Sequence, residues 1–336
     1  MTFSSPHPAN RLLVIDGSTV ERLVSQQDAI TLAEAALRKT SSGVTRQDIR
    51  RTLGLSGAAG ACLSLMYASP EDLPLFGAKV LSVSPQNFDH GLPSHQGGVL
   101  LFDRTHGAPV ALINGHAITG LRTPAASAVA TRLLSRDDST NMTVIGYGEQ
   151  AARHIEAISL VRPIQHVRVW GRDPQKAREF AEAQSRIGYP TTACETAREA
   201  VTGADIVCTV TSAQFPVLEG QWISEGAHTN AVGASIPSLK ELDADCVMRS
   251  SIWVDYMPMA MTSAADLMEP LADGRLDPAR IIGEIGAALN GEARGRSDAS
   301  EITLYRSLGV PAQDIELANF IYQQARDLGL GVEVSV

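Results

Sequence analysis

The 336-residue sequence predicts an α/β protein with a doubly wound parallel-sheet domain over residues 123–310 and an α+β domain over residues 1–122. A C-terminal segment, 311–336, is expected to pack back onto the α+β domain. Three observations carry this reading. Between residues 142 and 256, apolar runs alternate with helical patterns in βαβ rhythm. Between 44 and 115, short apolar segments are punctuated by Gly and Pro, the texture of a mainly antiparallel sheet. From 311 to 328 the chain returns to an amphipathic helix.

The elements follow in order. Leu12-Leu13-Val14-Ile15 reads as a strand and Asp16-Gly17 as a turn, followed by a helix with Leu23, Ala29, Leu32, Ala33 and Ala36 on one face. Strands are expected at Ala61–Tyr67, Phe76–Val83, Gly98–Phe102 and Pro109–Asn114, with a hairpin connection at Phe102–Gly107. An alanine-rich helix spans 123–135, and parallel strands are expected at 142–146, 166–170, 205–210, 228–232 and 252–256. In the last helix, Ile315, Leu317, Ala318, Phe320, Ile321 and Ala325 are the candidates for burial.

Composition excludes several classes. Hydrophobic content of 44% and charged content of 19% describe a globular chain, and the net charge of −9 with no basic cluster argues against nucleic acid or an anionic membrane as partner. Cys62, Cys194, Cys208 and Cys246 are scattered with no C-x-x-C pair, as expected of thiols in the reducing cytoplasm. No apolar run is long enough to span a membrane, and Met1–Pro8 lacks a charged signal-peptide head. No i, i+4 histidine pair with a nearby carboxylate points to a metal.

The apolar run Thr143-Val144-Ile145 leads into Gly146-Tyr147-Gly148-Glu149-Gln150-Ala151 and then into a helical pattern. The first Gly allows the tight turn, the second lets backbone approach a pyrophosphate, and the third small residue lets helix and strand pack closely. The helix N-terminus then offers unpaired N–H groups to an anion. A second strand at His166–Trp170 completes the context of a Rossmann dinucleotide site. Its end carries Gly171-Arg172-Asp173 in place of the acid that usually holds a ribose 2′-hydroxyl. A guanidinium there suits a 2′-phosphate, so NADPH is the expected cofactor, with NADH as the alternative read through Asp173.

Together these segments resemble the ornithine cyclodeaminase/μ-crystallin family. Gly77-Ala78-Lys79-Val80 is similar to the family's lysine-bearing strand, and Gly120-Leu121-Arg122-Thr123-Pro124-Ala125-Ala126-Ser127-Ala128 to its Arg-Thr signature. Asn230-Ala231-Val232-Gly233-Ala234 resembles its nicotinamide-side loop, and Glu301–Leu304 with Ser307-Leu308-Gly309 its C-terminal return. The resemblance implies a homodimer built through the N-terminal domain. It also implies a substrate carboxylate held by Arg122 and a second arginine, Arg50 or Arg51; spacing to Met66 and the following Thr52 favour Arg51. Adjacent strand residues face opposite sides, so only one of the two can serve. Arg122 can present a bidentate fork, and Lys79, in an apolar segment, becomes a candidate for proton exchange with a nitrogen. The residues expected to hold the cofactor are Thr123, Gly146, Gly148, Glu149, Gln150, Ala151, Gly171, Arg172, Thr209, Val232, Gly233 and Ser307.

One departure bears on the reaction. Where cyclodeaminases of the family carry a catalytic aspartate, this chain has Ser235, followed by Lys240-Glu241-Leu242-Asp243 in the expected register. A hydroxyl of ordinary pKa is no base near neutrality, so the serine points to the imine-reductase side of the family. The function implied is reduction of a small cyclic ketimine carboxylate, such as Δ1-pyrroline-2-carboxylate or Δ1-piperideine-2-carboxylate, to L-proline or L-pipecolate. The alternatives are ornithine or lysine cyclodeamination, dehydrogenation of alanine or an N-substituted amino acid, and non-catalytic ligand binding.

Overall fold

The computed structural model describes residues 11–56, 60–90 and 92–336. The reading of Met1–Pro8 concerns residues outside these. The chain forms two compact units, one of Met1–Arg122 with Val310–Val336 and the other of Thr123–Gly309.

In the first unit an eight-stranded sheet runs from Val332–Ser335 through Arg11–Ile15, Pro109–Asn114, His95–Asp103, Leu75–Val83 and Cys62–Pro70 to Thr45–Gln47, with Arg51–Gly54 also paired to Cys62–Pro70. Arg11–Ile15 and Pro109–Asn114 pair in parallel; the other pairs are antiparallel. The expected hairpin forms because the Asp103 carboxylate accepts from the backbone N–H groups of Thr105, His106 and Ala108. The single helix expected after the first strand is two, Gly17–Leu23 and Gln26–Ser41. The break is chemical: Val24 is extended, and Ser25 and Asp28 form a capping box that starts a new helix.

The returning helix Pro311–Leu328 packs on Gln26–Ser41 and on the strands Cys62–Pro70 and Leu75–Val83. Ile315, Leu317, Ala318, Ile321 and Ala325 are buried as expected, whereas Phe320 is only half-buried. Polar Gln313, Asp314, Glu316 and Asn319 are buried too, so this helix is covered on more than its apolar face. It ends at Gly329, whose φ of 64° provides the left-handed cap.

In the second unit eight parallel strands lie in the order Thr191–Ala193, His166–Trp170, Asn141–Ile145, Ile206–Thr209, His228–Ala231, Thr303–Arg306, Ser251–Val254, Ile281–Glu284. The five expected strands are present. Thr303–Arg306, anticipated only as part of a C-terminal return, is a central strand between His228–Ala231 and Ser251–Val254. The strand order reverses between Asn141–Ile145 and Ile206–Thr209, the switch point at which doubly wound sheets open a ligand crevice.

The alanine-rich helix begins earlier than its composition suggested, at Gly115, and runs to Leu134. Asn114 is the signal: its side-chain oxygen accepts from the Ala117 N–H at 2.9 Å. Arg122 and Thr123 therefore lie inside the helix rather than ahead of it, fixed on a rigid element.

Candidate functional site

Two groups of residues carry chemistry, one in each unit. In the second unit, the carboxyl ends of the parallel strands place Gly146, Gly171, Thr209, Val232, Gly233 and Ser307 along one sheet edge. Gly146 has φ +119°, and a Cβ there would crowd the Val210 carbonyl, so only glycine makes this turn. At Gly148 a Cβ would meet nothing within 4 Å, and no side chain caps the helix Glu149–Ser159 that follows it. Glu149 and Gln150 occupy the first turn of that helix. Ala151 is fully buried against the core of Met142, Val144, Ile155, Ile158, Val167, Ile206 and Cys208, which seats the helix close to the sheet. An open glycine cradle before an uncapped helix N-terminus fits a dinucleotide pyrophosphate.

The end of the next strand, His166–Trp170, is equally defined. A Cβ on Gly171 would lie 2.2 Å from the Tyr147 ring, so an acidic side chain has no room at the strand-end position. Asp173 caps the helix Pro174–Arg186, accepting from the N–H groups of Gln175 and Lys176. Arg172 between them is exposed.

Sequence reasoning passed over the residue that organises the opposite loops. Glu241, fully buried, accepts from Thr209 Oγ1 at 2.9 Å, Thr211 N at 2.6 Å, Thr211 Oγ1 at 2.7 Å, Gly233 N at 2.7 Å and Ala234 N at 3.2 Å. Burial raises its carboxyl above the ordinary range, while these donors and Arg306 pull it back. Arg306, also fully buried, donates to Asp266 Oδ1 and to the carbonyls of Ala231, Ala234 and Ser307. Thus one carboxylate and one guanidinium tie together the three loops that hold Thr209, Val232 with Gly233, and Ser307.

The first unit holds the second group. Lys79, on Leu75–Val83, is 1% exposed, and its Nζ donates to Asp314 Oδ1 at 2.6 Å and to Thr119 Oγ1 at 3.4 Å. Arg122 Nε lies 3.3 Å from the same Asp314 oxygen, and Arg122 Nη1 donates to Gln313 Oε1 at 3.5 Å. Burial is the largest influence on Lys79 and lowers it from 10.5 to about 7, with Asp314 opposing and the charges of Arg122 and Arg50 assisting. His95 stands in the same field: desolvation first, then Lys79, Arg50, Arg122 and His116, push its ring down to about 4. His95 is itself exposed, and its ring is neutral near neutral pH. Buried polar atoms without hydrogen-bond partners gather here, namely Arg122 Nε, Gln313 Nε2 and Asp314 Oδ2. A cationic cluster with unsatisfied donors suits a small anion such as a carboxylate.

The structure places Arg51 elsewhere. Cross-strand register puts Met66 opposite Lys79 and Arg51 opposite Leu65, the next residue along, so Arg51 faces away from the lysine. It is exposed and pairs with Asp48, which also accepts from Tyr67. Arg50, not Arg51, adds its charge to Lys79 and His95. Asp314 and Gln313 were invisible as site residues in a helix read by its apolar stripe. Among the described residues no group of three or more His, Cys, Asp or Glu could hold a metal, and no helix is long and apolar enough to cross a membrane.

Comparison with known proteins identifies the family. A sequence profile of the ornithine cyclodeaminase/mu-crystallin family matches residues 12–329. A Δ1-pyrroline-2-carboxylate reductase of Bacillus cereus is 34% identical over 325 residues, covering 96% of this chain and 99% of the relative. The ketimine reductase mu-crystallin of Mus musculus is 33% identical, with 90% and 93% covered. The solved structure of Thermococcus litoralis Δ1-pyrroline-2-carboxylate reductase in complex with NADH and L-proline superposes with a TM-score of 0.92 at 34% identity, covering 96% of this chain and 100% of that one.

Proposed function

The chain belongs to the ornithine cyclodeaminase/mu-crystallin family, and from that premise we propose that it is an NAD(P)H-dependent reductase of small cyclic ketimine carboxylates, with Δ1-pyrroline-2-carboxylate and its six-membered homologue as substrates. The observation that carries this reading is the buried cluster of Lys79, Arg122 and Asp314 with Arg50 and His95 beside it. Arg122 and Arg50 bind the substrate carboxylate, Arg122 from a rigid helix that fixes its direction. Lys79 holds a proton for the imine nitrogen, and its lowered pKa lets it give that proton near neutrality. When bound, the nicotinamide supplies the hydride that the imine carbon accepts. The sum is one hydride to carbon and one proton to nitrogen, giving L-proline or L-pipecolate and NAD(P)+. Ser235 at the loop after Gly233-Ala234 offers no carboxylate for ammonia elimination, which favours reduction over cyclodeamination. Absorbance loss of NADPH and NADH with pyrroline- and piperideine-2-carboxylate tests the assignment; no turnover of either imine would overturn it.

NADPH is the preferred cofactor. Gly146, Gly148, Glu149, Gln150 and Ala151 cradle the pyrophosphate; Thr123, Thr209, Val232, Gly233 and Ser307 line the nicotinamide half. Gly171 leaves the strand end without a carboxylate, Asp173 is engaged in helix capping, and Arg172 meets the 2′-phosphate. Arg172→Ala should weaken NADPH by roughly 10- to 150-fold, the value of one charge-assisted hydrogen bond, and leave NADH nearly unchanged. Equal effects on the two cofactors would remove Arg172 from the site.

The enzyme works as a homodimer through the outer face of its antiparallel sheet. Along Cys62–Pro70, Ser64, Met66 and Ala68 are buried while Leu63, Leu65 and Tyr67 are 36–43% exposed. Register aligns Val80 with Leu65 and Leu53 with Leu63, and both partners are likewise exposed. Such a contiguous apolar face calls for a partner surface. Light scattering should give twice the 35.7 kDa chain mass, and Leu65→Asp should halve it. A wild-type mass of one chain would refute the dimer. The free thiols of all four cysteines suit the cytoplasm.

A further inference from the structure

We infer that Asp314 is a positioning residue of the reaction, whose carboxylate holds the Lys79 ammonium and the Arg122 guanidinium in one fixed arrangement. The inference rests on the imine-reductase reading of this site.

The returning helix Pro311–Leu328 brings Asp314 in its first turn, where the helix dipole favours a negative charge. Asp314 and Lys79 are respectively 0% and 1% exposed on their side chains and meet at 2.6 Å. The same oxygen, Oδ1, stands 3.3 Å from Arg122 Nε, so one atom sets the distance between the proposed proton donor and the proposed carboxylate anchor. Its other oxygen, Oδ2, is buried without a hydrogen-bond partner, a costly arrangement for a purely structural aspartate.

The charges around Lys79 make the role specific. Arg122 and His116 come from the helix Gly115–Leu134, His95 from His95–Asp103, and Arg50 from just before Arg51–Gly54; Asp314 comes from the returning helix. Each of the others is cationic or neutral. Asp314 is the anion among them that keeps Lys79 protonated, and without it the lysine would lose its proton at lower pH. A substrate carboxylate entering beside Arg122 adds a second anion, which strengthens the ammonium until its proton passes to the imine nitrogen.

The test is Asp314→Asn in the full-length enzyme. The kcat for imine reduction should fall at least ~10-fold, part of the full acid–base contribution. The alkaline limb of kcat/KM should move down by about one pH unit or more, as expected for loss of an opposite charge in contact. The Kd for NADH should stay at its wild-type value. In a Lys79→Met background the same substitution should cost clearly less than it does in the wild type, because the part of its effect that runs through Lys79 is already lost and only its hold on Arg122 remains. Should Asp314→Asn fail to fold, Asp314→Glu keeps the charge and shifts it by one methylene; a lowered kcat with an unmoved alkaline limb is then expected. An unshifted limb in Asp314→Asn, full additivity with Lys79→Met, or wild-type kcat in Asp314→Glu would each overturn the inference. None of these outcomes touches the imine-reductase reading, which falls only if the wild-type enzyme turns over no cyclic imine.

Discussion

Lys79→Met is expected to lower kcat for cyclic imine reduction by roughly 10²- to 10⁴-fold, the usual range for removing a general acid. Methionine fills most of the space of the lysine stem, so the loss reports the ammonium rather than a cavity. The cofactor loops draw on other residues, so the Kd for NADH should hold. The pH profile gives the sharper result. Burial brings Lys79 down to about 7, so the protonated donor is lost as pH rises through that value. Wild-type kcat/KM for reduction should therefore fall with rising pH across neutrality. Dehydrogenation of the product needs the neutral amine as base and should rise over the same window. The imine's own titration is common to both enzymes, and only the difference between their profiles belongs to Lys79. Profiles of identical shape, with KM alone raised, would assign the lysine to binding and leave Arg122 and Arg50 to do the positioning.

How far the sequence reveals this site depends on the range of the forces that built it. Local rules were sufficient for Gly146, Gly148 and Ala151, because a turn and its helix lie within a few residues of one another. They were sufficient too for the five parallel strands. They were insufficient for the choice between Arg50 and Arg51, which turns on strand register. Arg51 faces Leu65 and the outer side of the sheet because the pairing puts it there, and no property of the two neighbouring residues encodes that. Thr303–Arg306 was missed as a strand because its place between two others is decided by long-range pairing alone. Asp314 is the extreme case. It lies 235 positions from Lys79 in the chain, within a helix whose pattern advertises only its apolar face. The early start of the Arg122 helix, by contrast, was legible: Asn114 ahead of Gly115 is a capping signal that the alanine-rich composition downstream obscured.

Glu241 makes the last case, and the largest expected loss of folding. Its two oxygens accept from three backbone N–H groups and two hydroxyls, drawn from the loops after Ile206–Thr209 and His228–Ala231. Glu241→Leu would leave the N–H groups of Thr211, Gly233 and Ala234 facing hydrocarbon, at ~1–3 kcal/mol for each unsatisfied group. Three such penalties approach the ~5–15 kcal/mol that holds a typical protein folded, so this variant should be insoluble or molten. Glu241→Gln is the graded version. Whichever way the amide turns, its NH2 meets at least one backbone N–H: that of Thr211 on one side, or those of Gly233 and Ala234 on the other. The loops must separate to relieve the contact. Gly233 is seated tightly against Thr211: a Cβ on it would lie 2.0 Å from the Thr211 backbone oxygen. Loss of one or two buried hydrogen bonds at the loops should raise the Kd for NADH and NADPH alike by roughly 5- to 150-fold and lower the Tm. Fluorescence titration of reduced cofactor and thermal melts read both quantities. The pH dependence of reduction at saturating cofactor should keep its wild-type shape, because Glu241 acts on the cofactor loops and not on Lys79. Cofactor affinity and Tm both at wild-type values would mean that the five-donor arrangement is not what fixes the loops.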